Sequence, residues 1–170
     1  MFDITLGDAR ISTIVEVSGP RYAPDFVFPG ITGEEISRNI GWMAPDLYDV
    51  PSGRIAMVRQ TNVVRVGGQT ILIDTCVGDC KTRNVPAFNR LRTAWLANFE
   101  AAGLRTEEVD LVMCTHLHVD HVGWNTRLIE GRWRPTFPNA RYVFGRRELD
   151  HWLTEHAAGR DSPDGPVFED

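Results

Sequence analysis

Apolar and polar residues alternate through residues 2–17, with Ile4, Leu6, Ile11, Ile14, Val15 and Val17 as the apolar set, which predicts one or two strands. The pattern breaks over residues 18–53. Prolines at 20, 24, 29, 45 and 51 and glycines at 19, 30, 33, 41 and 53 argue against long regular elements there. Within it, Thr32-Gly33-Glu34-Glu35 has the spacing of a capping box and predicts a short helix to about Ile40. Phe26, Phe28, Trp42, Met43, Leu47 and Tyr48 give the stretch apolar anchors, as expected of an ordered insertion that forms a pocket wall or a subunit contact. Residues 55–66 and 69–74 then read as a hairpin turned by Gly67-Gly68. Its second strand, Thr70-Ile71-Leu72-Ile73, is almost wholly apolar, as a strand buried on both faces would be, and ends on Asp74.

Helical periodicity takes over at residues 84–103, where Phe88, Leu91, Trp95, Leu96 and Phe99 form one stripe and Gly103 supplies a stop. A strand follows at 109–114, a short helix is expected from Val122-Gly123-Trp124, and residues 131–138 read as a turn region anchored by Trp133 and Phe137. Arg141-Tyr142-Val143-Phe144 reads as a strand. Residues 146–156 read as a second amphipathic helix with Leu149, Trp152 and Leu153 inward, and the tail from Ala157 has no predicted element. Strands alternating with helices make this an α/β chain, read as a single domain over residues 1–170.

Composition narrows the function classes. The net charge of −5 and the scattered basic residues argue against a nucleic-acid surface. No apolar run has membrane-spanning length, and Met1-Phe2-Asp3-Ile4 lacks the layout of a secretion signal, so a cytoplasmic protein is expected. Cys76, Cys80 and Cys114 cannot close a disulfide framework. Cys76 and Cys80 could pair or bind metal, but the favoured reading is small buried residues in a reducing compartment.

The chemistry concentrates in Thr115-His116-Leu117-His118-Val119-Asp120-His121, which holds three of the five histidines directly after the 109–114 strand. Neutral imidazole and carboxylate are ligands that zinc-class cations prefer, and the end of a buried strand is where α/β proteins build sites. His116 and His118 alternate and can reach one cation together, while Asp120 and His121 can reach a second as the chain turns. Asp74, at the tip of its own strand, either caps a turn or supports this polar site. Nothing in the chain resembles a serine or cysteine catalytic triad.

The H-x-H-x-D-H run together with Ile71-Leu72-Ile73-Asp74-Thr75 resembles the metallo-β-lactamase superfamily, from about Thr61 to the final helix, roughly half of that fold. Gly123-Trp124-Asn125, Pro138-Asn139-Ala140-Arg141-Tyr142 and Arg147-Glu148-Leu149 look like the subgroup that includes N-acyl-homoserine lactonases and methyl parathion hydrolase. The resemblance implies an αββα sandwich, here mainly its N-terminal half of sheet plus helices. It implies two Zn2+ ions, His116 and His118 on the first, Asp120 and His121 on the second, with Asp120 also orienting the attacking water and Asp74 bracing the loop. The implied reaction is hydrolysis of a small lactone, ester or phosphotriester by a metal-bound hydroxide.

Two departures stand against it. Cys76 occupies the place where the family usually has glycine, and a third histidine, a bridging aspartate and a last histidine are missing. Only His151 and His156 follow the motif, and both read as solvated helix residues. If the sheet is one half of a sandwich, its second face is apolar and needs cover, from further chain or from a second copy in a homodimer. Residues 161–170 accordingly read as a mid-domain loop of an incomplete domain. The rival reading is a non-catalytic metal-binding or interaction module lacking the C-terminal ligands; iron redox chemistry is disfavoured because the motif has no glutamate. Trp42, Met43 and Trp124 are equally readable as an acyl pocket or as packing.

Overall fold

A computed structural model describes residues 3–160 and 166–167. The strand start expected at Phe2 and most of the mid-domain loop expected over 161–170 lie outside the described residues. Contacts divide the chain into two compact units, Met1–Glu16 with Gln60–Asp170, and Val17–Arg59.

The larger unit is built on a sheet whose strands run β1-β2-β4-β5-β6-β9. β1 (Asp3–Leu6) pairs antiparallel with β2 (Ala9–Tyr22). β4 (Arg54–Val66) and β5 (Gln69–Ile73) form the predicted hairpin. Gly67 and Gly68 take φ of 56° and 77°, the left-handed pair that matches a two-residue turn to the twist of its strands. β6 (Leu111–Met113) lies parallel to β5, and β9 (Arg141–Val143) parallel to β6. Parallel neighbours need a crossover. The β5–β6 connection carries α3 (Trp95–Ala101), and the β6–β9 connection carries α4 (Val119–Val122) and an antiparallel hairpin of β7 (Thr126–Ile129) and β8 (Arg132–Pro135). α5 (Arg146–Ala157) follows β9.

Register explains the core. Leu72, Val112 and Tyr142 sit side by side on β5, β6 and β9, with Leu72 and Val112 fully buried. They join one cluster with Trp95 and Phe99 of α3, Val119 and Val122 of α4 and Trp152 of α5. Trp95 stacks on Phe99 at 5.2 Å and on Trp124 at 4.8 Å between ring centroids, and Phe137 meets both Trp95 and Phe99. The α/β reading therefore holds, but β5 is not buried on both faces. Ile71 and Ile73, alternating with Leu72, are only half-buried, as is Leu111 opposite Ile71, while Met113 opposite Ile73 and Val143 beyond it are exposed.

Several predicted elements change. The helix expected over 84–103 shrinks to α3. Arg90 has a left-handed φ of 49°, its N–H donates to Lys81 O, and Leu91 O accepts from Cys80 N, so this backbone is committed to a neighbouring strand of loop. Asp79 Oδ1 accepts from Thr93 N and Oγ1 just before the helix starts. The turn region at 131–138 contains β8, because Glu130 and Gly131 both adopt positive φ and close a tight hairpin. Phe137 is an anchor, whereas Trp133 is partly exposed under the Lys81 ammonium, 4.1 Å from its ring centroid. Leu153 lies outward on α5.

In the smaller unit the stretch is more regular than its prolines and glycines suggest. α1 (Pro24–Val27) is a single turn, and α2 (Gly33–Met43) extends beyond the predicted end. The Thr32 capping box forms in full: Thr32 Oγ1 accepts from Glu35 N, and Glu35 Oε2 accepts from Thr32 N at 2.8 Å. β3 (Tyr48–Asp49) pairs with the start of β4. Trp42 is exposed and Met43 buried.

Truncating Phe99 to alanine should cost about 3–5 kcal/mol in a denaturant titration, against a change within about 0.5 kcal/mol for Leu153→Ala. Equal losses at the two positions would contradict this placement of the core.

Candidate metal centre

The histidine motif begins where the β5 and β6 ladder ends. Asp74 N donates to Met113 O and Cys114 N to Val143 O, which carries the parallel pairing one residue past each strand. The chain then bends, and alternation sorts the motif. Leu117, Val119 and Val122 turn into the core, while His116, Asp120 and His121 stay half-buried and His118 exposed. The four expected ligands thus share one surface. The His116 ring centroid lies 4.6 Å from that of His118 and 4.0 Å from that of His121. His121 Nε2 is 3.6 Å from Asp120 Oδ1.

Asp74 is the brace under this surface. Its Oδ1 accepts from Thr115 N at 2.8 Å, and Thr115 Oγ1 lies 2.8 Å from its Oδ2. Oδ2 also approaches His121 Nδ1 to 2.9 Å, a close charge contact whose direction is off that of a hydrogen bond. Its side-chain contacts thus go to the histidine loop.

Burial pushes the Asp74 carboxyl up, but His121 and the Thr115 donors outweigh it and hold it below the usual range. His121 is shifted upward: burial opposes its charge, and Asp74 and Asp120 more than compensate. His116 is shifted downward by burial and then by the neighbouring His121 and His118, so it favours the neutral, ligating form.

A second set of contacts fixes the far end of the motif. Thr75 N donates to His121 O, Gly123 N to Cys76 O and Trp124 N to Thr75 O, all within 2.7–2.8 Å. The two segments come so close that only glycine fits. A Cβ on Gly78 would lie 2.6 Å from Gly123 O, and one on Gly123 would lie 1.8 Å from Val77 O. Asp74 and Cys76 take left-handed φ of 57° and 54° on this bend, a conformation costing non-glycine residues about 1–2 kcal/mol each. That explains why glycine suits the Cys76 position.

Glu16, on β2, is a contributor that sequence reasoning missed. Its buried carboxylate accepts from Val77 N, Gly78 N and the Trp124 indole N–H at 2.9–3.1 Å. The signal was available, since Glu16 sits two residues after Ile14 on the inward face of an alternating strand. Trp124 is core packing against Trp95, not a pocket wall. His151 and His156 lie exposed on α5, as expected. None of the three cysteines is in a disulfide; Cys76 and Cys114 are buried, and burial first of all pushes the Cys114 thiol up to about 11.

Among the described residues no three His, Cys, Asp or Glu side chains converge on one point as they stand. The donors are nonetheless of the right chemical class, half-buried or exposed on one surface, with His116 biased to neutrality and His121 Nε2 beside Asp120. They fit a divalent metal as part of a coordination sphere and not the whole of one.

The family model for the metallo-beta-lactamase superfamily matches residues 56–170. Among solved structures, the chain is similar to a hydrolase of the beta lactamase superfamily, AbOPH, at 25% identity and a TM-score of 0.69, covering 93% of this chain and 49% of that one. It is similar to a probable metal-dependent hydrolase from Staphylococcus aureus at 17% identity and TM-score 0.66, covering 89% and 52%. It is also similar to AidC, a dizinc quorum-quenching lactonase, at 22% identity and TM-score 0.63, covering 89% and 47%. The chain spans about half the length of these structures. No curated protein matches it in sequence.

The Asp74–His121 contact has a pH signature in chelator-treated protein. Because the folded state raises the His121 pKa, its contribution is complete below the ordinary value of 6.5 and is lost as pH rises through the folded-state value. The gap in Tm between wild type and Asp74→Asn should therefore be wider at pH 6 than at pH 8. An equal gap at both pH values would contradict the contact.

Proposed function

The chain belongs to the metallo-beta-lactamase superfamily, and from that premise we propose that its histidine loop serves a metal-dependent hydrolase, with two zinc ions in the complete site. The observation that carries this reading is the gathering of His116, His118, Asp120 and His121 on one surface above the Asp74 brace. His116 and His118 would hold one ion, and Asp120 and His121 the second. A bound divalent cation would supply Lewis acidity, acidifying water and polarising the substrate oxygen.

The chain's own residues do the rest. Asp120 accepts a hydrogen bond from the attacking water and so orients it toward the substrate. Asp74 holds the His121 ring in place through the 2.9 Å contact at Nδ1. Leu117, Val119 and Val122 seal the underside of the loop against water.

For substrate, we favour a small lactone, ester or phosphotriester, on the resemblance carried by Gly123-Trp124-Asn125 and Arg147-Glu148-Leu149. No membrane-crossing helix is present among the described residues, and we place the protein in the cytoplasm. The donors still needed would come with a second layer packed on the exposed Met113–Val143 face, from further chain or from a second copy. A second reading, a metal-binding module without turnover, is favoured by the one observation that no three donors converge among the described residues.

Metal analysis of the purified protein, with and without His118→Ala, tests the proposal together with turnover of a lactone and a p-nitrophenyl ester. Tightly held zinc that falls in the variant, with turnover in wild type, is the expected result. Zinc loss in the variant without any turnover would favour the module, and unchanged metal content would contradict the assignment of His118.

A further inference from the structure

The helix after the last sheet strand reaches back to the histidine loop. Glu148, in the first turn of α5, places its Oε2 3.0 Å from Leu117 N and accepts its hydrogen bond. Leu117 is the residue between His116 and His118. Its side chain is buried in the core, so its backbone N–H turns toward the helix while the flanking imidazoles turn to the surface. One turn further along α5, the Trp152 ring stands edge-on to His118, 6.0 Å between centroids. The same helix therefore touches the backbone between the two histidines and the ring of the second.

The loop needs this support. Asp74 fixes the chain at Thr115, and the contacts of Thr75 and Cys76 fix it from His121 onward. Between those anchor points Thr115 Oγ1 lies 3.2 Å from His116 Nδ1 and His121 N donates to His118 O, and the Leu117 N–H bond to Glu148 ties the middle of the segment to α5. Losing it would loosen the φ and ψ dihedrals around Leu117 and let the spacing of the two rings vary. A carboxylate acceptor makes this bond stronger than a neutral one would.

We propose that Glu148 is a positioning residue for the His116–His118 pair. It sets the spacing of the two imidazoles through the backbone of Leu117 and thereby sets metal affinity at that pair. Glu148 touches neither ion nor substrate in this role. The inference rests on the metal reading of the loop, but it concerns a residue to which that reading assigns no part.

The test is Co2+ binding to the full 170-residue chain, wild type, Glu148→Ala and Glu148→Gln, followed by competition with a chelator and by the visible absorption of the bound ion. Amide hydrogen exchange at Leu117 is measured on the same proteins without metal. Glu148→Ala should weaken Co2+ binding by about 10–100-fold, change the absorption band and unprotect the Leu117 amide. Glu148→Gln retains an acceptor oxygen and should restore binding to within about threefold, together with the wild-type band and amide protection.

Wild-type affinity and spectrum in Glu148→Ala would overturn the positioning role alone, leaving the metal reading intact. A loss in Glu148→Ala that Glu148→Gln fails to restore would overturn it as well, because charge rather than the hydrogen bond would then be at work. If wild type takes up no Co2+ while its Leu117 amide is protected and that of Glu148→Ala is not, the metal reading has failed and the inference goes with it.

Discussion

The site depends on one short carboxylate at the end of a central strand. Asp74 leaves β5 in a left-handed conformation, takes the Thr115 N–H and hydroxyl that begin the histidine loop, and lies against His121 at its end. A single side chain thus ties the entrance and the exit of the loop to the sheet. Around it, backbone does what side chains cannot. The approach of Val77 and Gly78 to Gly123 leaves no room for a Cβ, and three main-chain hydrogen bonds join the two bends. Glu16 satisfies the amides that this approach leaves buried. The polar loop is thus held to the sheet by short supports at both of its ends.

This arrangement also divides the titratable groups by function. His116 is pushed toward neutrality by burial and by its imidazole neighbours, whereas His121 is drawn toward charge by two carboxylates. Without an ion, Asp74 and Asp120 balance the positive charge that His121 tends to carry.

Much of this was legible in the sequence. The Gly67-Gly68 hairpin, the Thr32 capping box, the alternation of β2 and the position of the histidines after a strand end all follow from local rules that the fold does not override. The failures have physical causes too. The stripe from Phe88 to Phe99 has helical spacing, but tertiary hydrogen bonds at Arg90 and Leu91 claim the backbone before Trp95. Ile71 and Ile73 read as doubly buried because an apolar strand carries no mark of which face has a partner. Glu148 and Gly78 act through backbone contacts between distant segments, and single-sequence patterns do not encode such contacts. Glu16 alone was visible in principle, as an acid on the inward register of a strand.

The central claim is that these bends exist to present imidazole and carboxylate to a divalent cation. X-ray absorption at the zinc edge of the metal-loaded protein tests it most directly. The account predicts nitrogen and oxygen scatterers at about 2.0–2.1 Å with the multiple-scattering pattern of at least two imidazoles. A sulfur shell near about 2.3 Å, or zinc without imidazole scattering, would contradict it by moving the ion to the cysteines or off the loop altogether.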